Sequence, residues 1–172
     1  MIRVSASLAL AFAVVLPPVG ELPEFPGESH CVLVVIGQRQ SGELITAPPV
    51  CLENEGLSRL WAGPALSVAG APGLEAGSIS ALATFNLGVH YDGFNGTGSS
   101  IAIVGSTCTG GYWNTPTAWD NRISSSRHGC AALRHYDLPA KGGTFQLTTG
   151  VGTIKNLSIL NNRAESVSYS AG

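Results

Sequence analysis

A chain of 172 residues, 12% of them charged and 22 of them glycine, is long enough for one compact domain with an appendage and too short for two large ones. Low charge with abundant Gly, Ser and Thr suits a turn-rich β protein and excludes a disordered polyelectrolyte. A net charge of −2 supplies no field for nucleic acid.

In chain order, Arg3 followed by the apolar run Ala6 to Leu16 reads as a secretory signal, expected over residues 1–20. The run is too short to span a bilayer. The segment Leu16-Pro17-Pro18-Val19-Gly20 does not mark a cleavage site, and an uncleaved anchor is the alternative. No other apolar stretch reaches membrane length, so no membrane span is expected after signal removal. An N-terminal extension is expected over 21–84, with Leu22 to His30 as linker, Cys31 to Ile36 as a β-branched strand, Leu44 to Leu52 as its return strand and Gly56 to Trp61 as a short helical turn. Ala69 to Gly77 is a Gly/Pro-rich connector, and the main boundary falls near 78–84. Seven acids and two bases lie between Glu21 and Thr84, against four acids and six bases from Phe85 onward. That asymmetry either lets the two halves dock or carries no meaning.

Beyond the boundary, 85–172 is expected to be a β-sandwich domain. Gly88 to Tyr91, Ser99 to Val104, Ala132 to Tyr136, Thr144 to Thr148 and Ser166 to Ser170 read as short strands separated by turns. The half repeats internally. His90-Tyr91-Asp92 recurs as His135-Tyr136-Asp137 and Gly98 as Gly143, at an offset of 45 residues without a gap. Asp120-Asn121-Arg122-Ile123-Ser124-Ser125 recurs as Asn161-Asn162-Arg163-Ala164-Glu165-Ser166, at an offset of 41. Each unit is an aromatic-led hairpin followed by a turn rich in side-chain oxygens.

Export makes the four cysteines readable as two disulfides. Of three pairings, the nearest-neighbour one (Cys31 with Cys51, Cys108 with Cys130) puts one staple in each half. Each closes a loop of about 20 residues, for which chain entropy gives about 3 kcal/mol. The cysteines carry no Cys-x-x-Cys or Cys/His spacing for a metal. Catalytic motifs are missing too: no Gly-x-Ser-x-Gly, His-Glu-x-x-His or P-loop pattern occurs. His90 and His135 are repeat-equivalent, which favours a shared packing role. No enzyme is expected.

The duplicated unit resembles the βγ-crystallin superfamily, whose Greek-key motifs join an aromatic-x₄-aromatic-x-Gly hairpin to a turn of the form Asn/Asp-Asn/Asp-x-x-Ser/Thr-Ser. Asp120 to Ser125 matches that turn fully, and Asn161 to Ser166 matches it except at Glu165. Trp119 and the bracketing Cys108 and Cys130 look like the bacterial secreted members, which include metalloproteinase inhibitors and killer-toxin-like proteins. The hairpins depart from the family: the second aromatic position holds Gly96 and Lys141, and a two-residue shift using Phe94 is an alternative register. The resemblance implies an all-β, two-motif Greek-key sandwich preceded by a disulfide-stapled hairpin.

The resemblance also implies up to two Ca²⁺ ions with a structural role. Asp120, Asn121, Ser124 and the Arg122 carbonyl would serve the first turn. Asn161, Asn162, Glu165 and the Arg163 carbonyl would serve the second. A hairpin carbonyl, from Asp92 or Phe94 and from Pro139, would complete each site. Such oxygens suit a hard cation, although the same residues also cap ordinary turns, and Arg122 and Arg163 bring opposing charge. Ser125 and Ser166 are expected to bond the opposite hairpin. The alternative function is a secreted protease inhibitor or killer-toxin-like protein, monomeric, with an extracellular protease as partner. Its contact would be the Cys108–Cys130 loop with Tyr112 and Trp113 as exposed aromatics; the bland alternative is that these aromatics fill the core.

Overall fold

The structure, a computed structural model, describes residues 28–53 and 85–172. The expected signal, the helical turn at Gly56 to Trp61 and the connector lie outside those residues. The described chain is all-β. Its strands are β1 Ser29–Gln38, β2 Leu44–Thr46, β3 Val50–Glu53, β4 Phe85–Tyr91, β5 Ser100–Gly105, β6 Thr109–Asn114, β7 Ser125–His128, β8 Ala132–Leu138, β9 Gly142–Thr149, β10 Ile154–Asn156 and β11 Ser166–Ser170. One sheet runs β10-β7-β4-β5-β1-β2, with β3 also on β1, and the other runs β6-β11-β8-β9.

The repeat organises both sheets. The first unit supplies β4 to β7 and the second supplies β8 to β11. Three strands of each unit stay together, while the third, β6 or β10, crosses into the sheet of the other unit. Neither unit can therefore complete its sheet alone. Between the sheets lies one core, in which Ile101, Ile103, Trp113, Leu133, Val167 and Tyr169 are all buried. Burying each aliphatic side chain of this kind contributes about 1.5–3 kcal/mol. A second buried cluster, including Val32, Val34, Val89, Ala102 and Val104, lies on the other face of the larger sheet.

The N-terminal hairpin is part of that sheet. β1 runs parallel to β5, with Cys31 beside Ile101 and Leu33 beside Ile103, so its inward residues join the same core. The return strand is split into β2 and β3 around Ala47-Pro48-Pro49, because proline has no N–H for the ladder. Cys31 and Cys51 face each other across β1 and β3 and are bonded, as are Cys108 and Cys130. Ser29 and His30 belong to β1 rather than to a linker. Three strands escaped the sequence reading: β6 begins Thr-Gly-Gly, β7 is Ser-Ser-Arg-His, and β10 has three exposed residues. None carries the apolar alternation that marks a half-buried strand.

Candidate functional site: two turns and two hairpins between the repeats

The hairpins adopt the same backbone in both units. Asn95 and Ala140 have φ of 57° and 55°, Gly96 and Lys141 of 77° and 64°, and Gly98 and Gly143 of 78° and 71°. These values match with no gap, and Phe94 is exposed, so the two-residue shift does not occur. At Gly98 and Gly143 an added Cβ would collide with the carboxylate of Asp92 or Asp137. Glycine is therefore required both by the left-handed φ and by space. The Asp137 carboxylate accepts a hydrogen bond from the Thr144 amide at 2.6 Å.

The turns are equally matched. Their second residues, Asn121 and Asn162, have φ of 56° and 53°, a conformation Asn adopts more readily than most residues. The last serine of each turn clamps a hairpin. Ser125 Oγ donates to the Gly93 carbonyl at 2.6 Å and accepts from the Gly96 amide at 3.0 Å. Ser166 Oγ donates to the Leu138 carbonyl at 2.8 Å and accepts from the Lys141 amide at 3.1 Å. The expectation that these serines reach the opposite hairpin is corrected: each holds the hairpin of its own unit. Strand pairing explains this, since Ser125 lies across from Tyr91 and Ser166 across from Tyr136.

Between units the contacts are reciprocal. The Asn121 amide donates to the Ala164 carbonyl at 3.3 Å, and the Asn162 amide to the Ile123 carbonyl at 3.0 Å. Leu157 donates to the Ser124 carbonyl at 2.8 Å, and Thr115 to the Glu165 carbonyl at 3.0 Å. The hairpins are reached by the exchanged strands. Asn156 Oδ1 accepts from the Asn95 amide at 2.7 Å, and Asn114 Oδ1 from the Ala140 amide at 2.8 Å. Ser124 Oγ donates to Asn162 Oδ1 at 2.9 Å with no counterpart from the second turn, where Glu165 replaces the serine, and Asn156 Nδ2 donates to Asn95 Oδ1 at 2.8 Å with no counterpart at Ala140.

Comparison with protein-family models, with curated proteins and with solved structures finds no match to this chain.

Several oxygens in the turns stay available to a cation. Asn161 Oδ1 is buried with no hydrogen-bond partner, and an orphaned buried acceptor is costly unless something satisfies it. The Arg122 and Arg163 carbonyls accept no backbone hydrogen bond among the described residues. Asp120 and Asn121 are exposed, and Glu165 is half-buried. The Phe94 carbonyl already accepts from Thr97 Oγ1 at 2.8 Å, and the Pro139 carbonyl from the Gly142 amide. The Asp92 carboxylate is held by Arg122 at 2.6 Å, and that of Asp137 by Arg163 at 3.6 Å. Each arginine is thus paired with an acid of its own unit, which reduces its repulsion of a cation. Among the described residues no cluster of three or more His, Cys, Asp or Glu side chains forms. A cation here would rest on amide, carbonyl and hydroxyl oxygens with few carboxylates.

The aromatic loop is also corrected. Tyr112 and Trp113 lie in β6 and are each 4% exposed. The Lys141 ammonium sits 5.0 Å from the Tyr112 ring centre, and Trp113 stacks on His90 at 5.7 Å. Neither residue offers an exposed contact, because β6 crosses into the second sheet and carries Trp113 into the core.

His90 opens a buried network. Its Nε2 is 2.9 Å from Tyr169 Oη, its Nδ1 is 2.8 Å from Ser126 Oγ, and that oxygen is 2.8 Å from His135 Nε2. Burial pushes the Tyr169 hydroxyl well above its ordinary range, so it keeps its proton. With both histidines neutral, each ring nitrogen in the chain either donates or accepts according to the tautomer, and Ser126 Oγ bridges the two rings. Desolvation, with like charge from His135 and His128, holds His90 well below the usual histidine range. Desolvation, with like charge from His128, pushes His135 down to about 3. His90, Ser126 and His135 are all fully buried, so the network packs the core with polar groups and presents none of them to a substrate.

Proposed function

We propose that this chain is a secreted, non-enzymatic module of the βγ-crystallin Greek-key type, in which the two turns bind up to two Ca²⁺ ions and the ions serve the fold. The supporting observation is the reciprocal packing of Asp120–Ser125 against Asn161–Ser166, with matched left-handed residues and an exchanged third strand in each unit. Two disulfides are consistent with an extracellular protein. The first site would draw on Asp120, Asn121, Ser124 and the Arg122 carbonyl. The second would draw on Asn161, Asn162, Glu165 and the Arg163 carbonyl, with Asn161 supplying the orphaned oxygen. Because few of these donors are charged, affinity is expected in the weak extracellular range, about 10⁻⁴–10⁻³ M.

Calorimetric titration of metal-free protein tests this. Saturable heat is expected, together with stabilisation of about 1.4 kcal/mol at ten times Kd. Asn161→Ala should remove the second site and spare the first. No heat and no change in melting temperature at 10 mM Ca²⁺, a concentration on the order of ten times the weakest expected Kd, would leave the fold proposal standing and remove the metal.

A second reading, an extracellular protease inhibitor or killer-toxin-like protein acting as a monomer, draws support from a different segment. Ser106, Thr107, Thr109 and Gly110 are exposed around Cys108, which the bond to Cys130 anchors. A short exposed segment fixed by a staple loses little entropy on binding. Inhibition assays against metalloproteases and serine proteases separate the two readings.

A further inference from the structure

The two units match in backbone, yet their second strands end differently. The outer edge of β5 is covered by β1, which runs parallel to it from His30 beside Ser100 to Val34 beside Val104. β9 holds the equivalent place in the second unit, 45 residues later. Among the described residues it is the last strand of its sheet, paired on one side only, to β8.

Proteins usually guard such an edge with charge, proline, a bulge or brevity. β9 is eight residues long, and Gly-Gly-Thr-Phe-Gln-Leu-Thr-Thr contains neither a charge nor a proline. Phe145 and Leu147 are 51% and 47% exposed. They share one face of the strand, where Tyr136 lies across from Phe145 and Arg134 across from Leu147. The strand is also held in place from beneath: Gln146 Oε1 accepts the amides of Ser158, Ile159 and Leu160 at 2.9–3.2 Å. An edge strand with no charge of its own, whose outer face carries Phe145 and Leu147 with the Arg134 guanidinium 5.9 Å from the Phe145 ring centre, is suited to strand addition.

We propose that the free edge of β9 is a docking site for an extended, uncharged, β-branched segment of a partner protein, bound parallel to β9 as β1 is bound to β5. The sister unit defines the occupant. The strand on β5 is Cys-Val-Leu-Val-Val-Ile at its centre, with no charged residue. Carrying the register over by 45 residues, the occupant's counterpart of Cys31 lies beside Gln146, that of Val32 beside Leu147 and that of Val34 beside Thr149. The counterparts of Val32 and Val34 would then extend the apolar surface begun by Phe145 and Leu147.

The probe is a labelled peptide of residues 29–38 with Cys31→Ser, added to the full disulfide-bonded chain. Expected are saturable fluorescence polarisation and slowed amide exchange within residues 143–149. Leu147→Lys, an exposed substitution whose circular dichroism should match the parent, is expected to weaken binding at least tenfold. Absence of saturation, unchanged exchange on β9, or protection confined to β10 would overturn the proposal. Concentration-dependent self-association with β9 protected in the absence of peptide would also overturn it, by making a second copy the occupant.

Discussion

The first unit turns Trp113 of its exchanged strand onto His90 in the core. The second unit has Lys155, exposed, at the equivalent place; the equivalence is fixed by the next residues, Asn114 and Asn156, which both bond a hairpin of the other unit. The hairpins differ as well: Asn95-Gly96 in one is Ala140-Lys141 in the other, at the same positive φ. Common to both units where they control the backbone are the closing Gly98 and Gly143, the left-handed Asn121 and Asn162, the clamping Ser125 and Ser166, and the hairpin-bonding Asn114 and Asn156. The fold thus requires little of the sequence at its turns. The side chains around those points differ, and among the described residues the edge of β5 carries a covering strand while β9 is paired on one side only.

The largest expected effect comes from acid and bears on both units at once. His90 and His135 are neutral in the fold and have depressed pKa values, so below about pH 6.5, the unfolded value, the unfolded chain binds more protons. Stability is therefore complete above that pH and falls as pH drops, until His135 itself titrates at about 3. His135 costs about 1.4 kcal/mol per pH unit, so it removes about 3 kcal/mol between pH 6.5 and 4.5, and the depressed His90 and His128 steepen the fall. Urea unfolding across that range checks this. His135→Gln should flatten the slope, whereas a slope unchanged by the substitution would mean that the buried histidines do not set acid stability.

Next in size is the contrast at the exchanged strands. Trp113→Ala should cost about 3–5 kcal/mol, as large core truncations do, while Lys155→Ala should fall within about 0.5 kcal/mol. Equal effects in thermal unfolding would contradict the asymmetry between the two units.

Much of the fold was legible because its signals are local. The hairpin glycines, the Asn-rich turns and the β-branched run Cys31 to Ile36 each impose a conformation through their own chemistry. What stayed hidden depends on distant partners. Ser125 and Ser126 are buried strand residues because a hairpin and two histidines satisfy their hydroxyls, and no local pattern distinguishes them from a polar loop. Gly110 and Gly111 before Tyr112 and Trp113, with a cysteine on each side, carry the local signal of a loop. Only the crossing of β6 into the other sheet sends Trp113 inward. The oxygens of the turns were identifiable from residue type, whereas the pairing of Arg122 with Asp92 and of Arg163 with Asp137 required the hairpin to curl beside the turn.

The two turns meet through reciprocal bonds, and NMR reads those bonds directly. Through-hydrogen-bond couplings are expected from the Asn121 amide to the Ala164 carbonyl and from the Asn162 amide to the Ile123 carbonyl, with both amides slow to exchange. Rapid exchange at both amides, with neither coupling present in the folded, disulfide-bonded protein, would contradict this meeting of the turns.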